Sequence, residues 1–275
     1  MTTRDTAFAA GTPCWVDLMS SDPPKVRAFY SAVFGWDAEE SNEEYGNYVT
    51  FTSDGRAVAG LMQNPPDSGY PDVWTTYIAT DDIHASAAAA TDAGGQVMMG
   101  PMQVGEQGSV AVLLDTAGGA VGLWQAGQHT GFGKYNDTGS VAWHELHSKD
   151  FAKSKEFYAS VFGWDYRVDS DTDEFRYVTA QVGGEAVAGI MDSAAFLPAE
   201  VPTHWTIYFD VADVDESVAV AEANGATVLV PAADTPFGRL AELLDPTGAT
   251  FKLHSMKLAD PGSVAESAAA EESGS

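Results

Sequence analysis

Phe29-Tyr30-Ser31-Ala32-Val33-Phe34-Gly35-Trp36-Asp37 returns further along the chain as Phe157-Tyr158-Ala159-Ser160-Val161-Phe162-Gly163-Trp164-Asp165, an offset of 157 − 29 = 128 residues. The block reads as the end of an amphipathic helix. Val26, Phe29, Tyr30, Val33 and Phe34 recur at spacings of three and four, and Gly35 stops the helix. Asp22, just before Pro23-Pro24, supplies its N-cap. Working outward, Trp15-Val16-Asp17-Leu18 returns as Trp143-His144-Glu145-Leu146 at the same offset. Ala57-Val58-Ala59-Gly60-Leu61-Met62 returns as Ala186-Val187-Ala188-Gly189-Ile190-Met191, and Asp115 with Gly118 as Asp245 with Gly248. Matched blocks in one order define a duplicated domain.

Each copy opens on strand periodicity: Cys14, Val16 and Leu18 face one way, and Trp15, Asp17 and Met19 the other. After the helix come three short strands, about 36–40, 47–53 and 56–62, with no further helix. A strand over 73–80 then leads to a helix capped by Asp82 and ended at Gly94-Gly95, with strands near 96–102, 109–115 and 120–125. The pattern βαβββ therefore occurs twice per copy, and the second copy ends its second helix at Asn224-Gly225. A ferredoxin-like unit would place a helix after every second strand. The expected class is α+β, with domains over 1–127 and 141–258. A Gly/Thr/Asn-rich linker spans 128–140, and 259–275 reads as a disordered acidic tail.

The chain has 275 residues, of which 13 are basic and 40 acidic, for a net charge of −27. Binding to nucleic acid or an anionic membrane needs clustered Lys and Arg, which this composition lacks. The lone Cys14 excludes an intrachain disulfide and a cysteine zinc ribbon. No run of ~18 apolar residues and no apolar run in Met1–Gly11 point to a membrane or secretory segment, so the expected location is cytoplasmic. Cys14 and His144 fall on the core face, whereas His84 and His129 read as exposed.

Four βαβββ modules with this helix end resemble the glyoxalase/bleomycin-resistance/extradiol-dioxygenase superfamily, the vicinal oxygen chelate proteins, over about 12–256. The opening Gly11-Thr12-Pro13 followed by Trp15-Val16-Asp17-Leu18, and the end Val121-Gly122-Leu123-Trp124-Gln125, are most similar to actinobacterial tandem glyoxalase-like proteins, some described as hydroxylases. The resemblance implies paired modules that form a half-open, cup-shaped mixed sheet with helices outside, and a monomer or homodimer. It does not choose among lyases, isomerases, dioxygenases and non-catalytic drug-binding proteins, because this fold hosts all of them.

Alternation then assigns the cup-facing side chains. In the first domain they are Trp15, Asp17, Met19, Thr75, Tyr77, Gly122 and Trp124; in the second, Trp143, Glu145, His147, His204, Thr206, Tyr208, Lys252 and His254. Metal-dependent relatives carry His or Glu at set cup positions. Counted from the helix-capping Asp and the Asp-x-x-Gly turn, these fall on Trp15, Thr75 and Gly122, and on Trp143, Thr206 and Lys252. No metal ligand stands there, so no cofactor is expected. The alternative is Zn²⁺, Fe²⁺ or Mn²⁺ in a shifted site of Glu145, His147, His204 and His254.

Without a metal, Glu145 (foremost) and Asp17 are the candidate acid–base groups, their pKa values expected to rise through burial among aromatics. Substrate contacts are expected from Trp15, Met19, Thr75, Tyr77 and Trp124, and from Trp143, Thr206, Tyr208, Arg239 and Lys252. The segments Gly100–Ser109 and Ala232–Arg239 are expected as lids. The leading expectation is a metal-independent isomerase, lyase or hydroxylase-like enzyme acting on an aromatic or carbonyl-bearing metabolite. The alternatives are a resistance protein that binds an antibiotic or metabolite without turnover, and a metal-dependent lyase or dioxygenase.

Overall fold

The computed structural model describes residues 2–40 and 46–257, so the expected tail lies outside the described residues. A short strand β1 (Thr2–Thr3) precedes β2 (Pro13–Ser20), α1 (Pro23–Phe34), β3 (Asp37–Glu40), β4 (Val49–Ser53) and β5 (Arg56–Gln63). The next module is β6 (Val73–Ala79), α2 (Ile83–Asp92), β7 (Gln96–Val104), β8 (Gly108–Leu114) and β9 (Ala120–Ala126). After β10 (Lys134–Tyr135), the third module runs β11 (Ser140–Ser148), α3 (Phe151–Phe162), β12 (Asp165–Asp171), β13 (Arg176–Val182) and β14 (Glu185–Asp192). The last is β15 (His204–Asp210), α4 (Val214–Ala223), β16 (Thr227–Thr235), β17 (Gly238–Leu244) and β18 (Thr250–Ser255). Asp22 caps α1 through the Lys25 amide, and Gly35 ends it at φ 69°, its N–H on the Ser31 carbonyl.

Each copy forms one eight-stranded mixed sheet, in the orders β3-β4-β5-β2-β6-β9-β8-β7 and β12-β13-β14-β11-β15-β18-β17-β16. The inner strands β2 and β6 pair antiparallel, and each has a parallel outer neighbour, β5 and β9, so the two modules of a domain are related by a local twofold. Alternation sends Val16, Leu18 and Trp74 to the helix side, and Trp15, Asp17 and Tyr77 to the open side.

The helices lie outside the cups yet inside the molecule: α1 packs against α4, and α2 against α3. One core joins Val26, Phe29 and Tyr30 of α1 to Phe209 and Phe251 of the second domain; the other joins Ala87 and Ala90 of α2 to Phe157 and Tyr158 of α3. Each aromatic buried there contributes about 2–3 kcal/mol. Trp36 and Trp164 staple the junction, donating to the carbonyls of Gly139 (2.8 Å) and Gly11 (2.7 Å). Cys14 is buried and its thiol pKa is pushed up by burial; His144 is buried beside Thr76 Oγ1 at 3.2 Å. No helix among the described residues is long and apolar enough to cross a membrane.

Two segments differ from the expectation. The linker forms a strap along one end of the first sheet. Gly127 and Gln128 donate to Gln107 and Glu106 at the β7–β8 turn, Phe132 donates to Cys14 at the start of β2, and Gly133 to Ala57 at the start of β5. Its β10 pairs with β1. The expected lids are mostly strand. β7 runs to Val104 and β16 to Thr235, because register shifts absorb Gly100 and Pro101 in one and Pro231 in the other.

Candidate functional site: two unlike cups

In the second domain β11 carries Trp143, Glu145 and His147 onto the concave face, opposite Tyr208, Thr206 and His204 of β15. Lys252 of β18 stands level with Tyr208. Glu145 Oε1 accepts from Tyr208 Oη (2.7 Å) and from His147 Nε2 (2.8 Å). Lys252 Nζ donates to Tyr208 Oη at 3.0 Å and lies 3.8 Å from the Glu145 carboxylate and 3.7 Å from Glu242. Burial alone would raise the Glu145 pKa. The His147 hydrogen bond, the Lys252 charge and the Tyr208 hydroxyl outweigh it and bring the value down to about 2. A carboxylate accepts only, so the shared proton sits on His147 Nε2. The 3.3 Å approach of Lys252 Nζ to that nitrogen is then two donors side by side, His147 directed at Glu145 and Lys252 at Tyr208 Oη. Thr206 Oγ1 is buried and has no hydrogen-bond partner.

In the first domain Asp17 occupies the place of Glu145 and meets only phenols. Tyr77 Oη donates to Oδ1 at 3.1 Å and Tyr48 Oη to Oδ2 at 3.4 Å, while Trp15 Nε1 donates to Tyr48 at 2.8 Å. Burial dominates and the two hydroxyls offset it only in part, so the Asp17 pKa is pushed up to about 7. Thr75 lies opposite Asp17 in the register. Trp124 and the strap residue His129 complete the face, the His129 ring 4.4 Å from Trp15 and 5.4 Å from Trp124. His129, expected exposed, is thus packed between two indoles. The expectation of a raised pKa fits Asp17 and fails for Glu145, because Lys252 and His147 compensate its charge.

The register refines the positions counted from sequence. Asp17 stands level with Gly60, and Tyr77 with Gly122, so the twofold-related set is Asp17, Gly60, Tyr77 and Gly122. Its counterpart is Glu145, Gly189, Tyr208 and Lys252. A Cβ added at Gly60 or Gly189 would overlap the hydroxyl of Tyr48 or Tyr177, and one at Gly122 would overlap the Tyr77 ring. Tyrosines fill the space that longer ligating side chains would use. Among the described residues no group of three or more His, Cys, Asp or Glu is placed to hold a metal ion. In the alternative set, His147 is on Glu145 and 5.1 Å ring to ring from His204, but His204 Nδ1 is engaged with the Pro202 carbonyl. His254 turns to Asp210 (2.8 Å) and the Phe237 carbonyl (3.0 Å). With an ammonium beside the one carboxylate, these residues do not fit a divalent cation.

Arg239, expected as a substrate contact, is not in the cup. It forms ion pairs with Asp215 of α4 (2.6 Å) and Asp234 (2.9 Å). Sequence reasoning missed Tyr48, Tyr177, Glu242 and His129. Tyr48-Val49-Thr50 does recur as Tyr177-Val178-Thr179, a repeat that marks both tyrosines. Tyr177 accepts the Trp143 indole N–H at 2.9 Å, as Tyr48 does that of Trp15.

Residues 14–122 and 140–253 both match the family model of the Glyoxalase/Bleomycin resistance protein/Dioxygenase superfamily. The chain belongs to that superfamily, as a tandem protein with two such domains. It is 37% identical to the "Putative glyoxylase CFP32" of Mycobacterium tuberculosis, over 90% of this chain and 95% of that one. It is 36% identical to the anthracycline biosynthesis protein DnrV of Streptomyces peucetius, over 90% and 94%. The fold is similar to the Mn(II)-bound glyoxalase from Novosphingobium aromaticivorans (TM-score 0.62, 16% identity, 90% of this chain and 82% of that one). It is also similar to the 2,3-dioxygenase LapB from Pseudomonas sp. KL28 (TM-score 0.61, 14% identity, 94% and 96%).

Proposed function

We propose that this chain is a metal-independent enzyme that moves a proton at a carbon beside a carbonyl group, on an aromatic or carbonyl-bearing metabolite, in the cup of the second domain. The observation that carries this reading is the Glu145–His147 pair beside the Lys252 ammonium, on a face where Trp143, His204 and Lys252 are only half-buried. Glu145 fixes the His147 tautomer, which leaves Nδ1 as the lone pair that accepts the carbon-bound proton. The electron pair of that C–H bond moves into the new C=C bond, and the carbonyl oxygen takes the negative charge. Lys252 and the unpartnered Thr206 hydroxyl are the donors available to hold it. Return of the proton to the opposite face of the same carbon, or to another carbon, gives isomerisation, and loss of a neighbouring leaving group gives a lyase reaction. The name of the anthracycline biosynthesis relative supports an aromatic ketone or quinone as substrate, within cytoplasmic natural-product chemistry.

The test is deuterium incorporation from D₂O into a panel of enolisable aryl ketones, beginning with 1-tetralone, followed by NMR. Wild-type protein is expected to exchange the proton beside the carbonyl well above the buffer rate. His147→Ala should lower the rate about 10²-fold or more, and Lys252→Met about 10²–10³-fold. Ketones that bind stoichiometrically and exchange only at the buffer rate would overturn the reading in favour of a sequestering protein.

A further inference from the structure

The first cup holds a feature that proton transfer in the second does not use. His129 sits edge-on to Trp15 (4.4 Å, 83°) and to Trp124 (5.4 Å, 65°). Its own backbone carbonyl accepts the Trp124 indole N–H at 2.9 Å. The strap thus presents two things to the two indoles: a flat aromatic ring and a carbonyl oxygen.

The fit is incomplete in one respect. His129 Nε2 is buried with no hydrogen-bond partner, so its desolvation goes uncompensated. Burial also lowers the imidazole pKa to about 4, so the ring is neutral at pH 7. For packing alone an apolar ring would serve better. Gly127 and Gly131 flank the segment, and Gly131 has φ +104°, a conformation that L side chains rarely adopt. A cavity of about 150 Å³, lined by Phe8, Ala79, Thr80, Trp124 and Thr130, lies beside the strap.

We propose that the first cup is a second ligand site, for a planar aromatic carbonyl compound, and that His129 occupies it as a built-in stand-in which the ligand displaces. The ligand ring takes the imidazole's place against Trp15 and Trp124, and the ligand carbonyl takes over the Trp124 N–H. No nitrogen is then left buried without a partner. The inference does not rest on the proposed reaction, because it concerns other residues in the other domain.

The probe is acridone, a flat tricyclic ketone with its own fluorescence, titrated against the full chain. His129→Ala is expected to bind acridone at least tenfold more tightly than wild type, because the slot stands empty. His129→Phe refills the slot with an apolar ring, and should bind more weakly than wild type and melt at a higher temperature. Trp124→Leu in the His129→Ala background should abolish binding, while His147→Ala in the second cup should leave it unchanged. Equal affinities for wild type, His129→Ala and His129→Phe would overturn the proposal. So would loss of binding in His147→Ala with Trp124→Leu unaffected. Should His129→Ala fail to fold, wild type against His129→Phe decides the same question, since equal affinities there also refute a displaceable ring.

Discussion

The two cups descend from one plan and reach opposite electrostatic states. Asp17 and Glu145 occupy the same place, as do Tyr77 and Tyr208, and Tyr48 and Tyr177. The neighbours differ: Met19 against His147, Val112 against Glu242, Gly122 against Lys252, and Trp124 against His254. A cation at the position of Gly122 holds the second carboxylate ionised, and its absence leaves the first one to burial. Placing a carboxylate in a dry cup therefore does not fix its chemistry. The charge on the adjoining strand does.

The two carboxyls separate most sharply by pH. Asp17 has a folded pKa of about 7 against an ordinary value of 3.8. Between those values the unfolded chain has released the proton and the folded chain keeps it, so stability falls as pH rises through this window. About three pH units at about 1.4 kcal/mol each give about 4 kcal/mol. Asp17→Asn removes the titration. In urea unfolding from pH 4 to 8, the variant should lose less stability than wild type as pH rises and gain on it by up to about 4 kcal/mol. Parallel curves for the two would show that Asp17 ionises normally, and the contrast between the cups would fail.

Glu145 should behave with the opposite sign. Its folded pKa of about 2 lies below the ordinary value of 4.5, so it contributes stability that is fully present above pH 4.5 and lost as pH falls toward 2. The gap corresponds to about 3 kcal/mol. Glu145→Gln is therefore expected to be less stable than wild type at pH 7 by up to that amount, and the difference should shrink below pH 4.5. A deficit that stayed constant down to pH 3 would trace the loss to packing and not to the charge network.

What the sequence disclosed, and what it hid, follows from the range of each interaction. The duplication, both helix caps and the side each strand residue faces are local or periodic, and the structure reproduces them. Alternation alone places Asp17, Glu145 and Lys252 on cup faces. The ionisation of Glu145 is not accessible that way, because it depends on the lateral register between β11, β15 and β18, which brings Lys252 within 3.8 Å. The strap is hidden for a related reason. Gly127, Gln128 and His129 are polar or small and read as solvated, yet backbone hydrogen bonds to residues 106 and 107, distant in sequence, turn the imidazole inward. Arg239 failed as a cup residue because its partner Asp215 comes from α4, on the other face of the sheet.

At the domain junction the two halves nearly agree, and a correspondingly small difference is expected. Trp74 Nε1 donates to Tyr30 Oη, and Trp205 Nε1 to Tyr158 Oη, each at 3.0 Å. Beyond them the halves part: Tyr30 Oη continues to Asp245 Oδ2 at 3.0 Å, whereas Tyr158 Oη approaches Asp115 more loosely, and Asp115 Oδ2 has no partner at good hydrogen-bond geometry. Both Tyr→Phe changes deprive an indole N–H of its acceptor, so that loss cancels in the comparison. Tyr30→Phe also removes the better-formed of the two bonds to a carboxylate. It is therefore expected to destabilise by about 1 kcal/mol more than Tyr158→Phe, measured by urea unfolding at pH 7. Neither change touches a concave face, so deuterium exchange into 1-tetralone and acridone affinity should stay at wild-type values. A change in either readout would mean that the junction transmits to the cups, and the two sites could no longer be treated as independent.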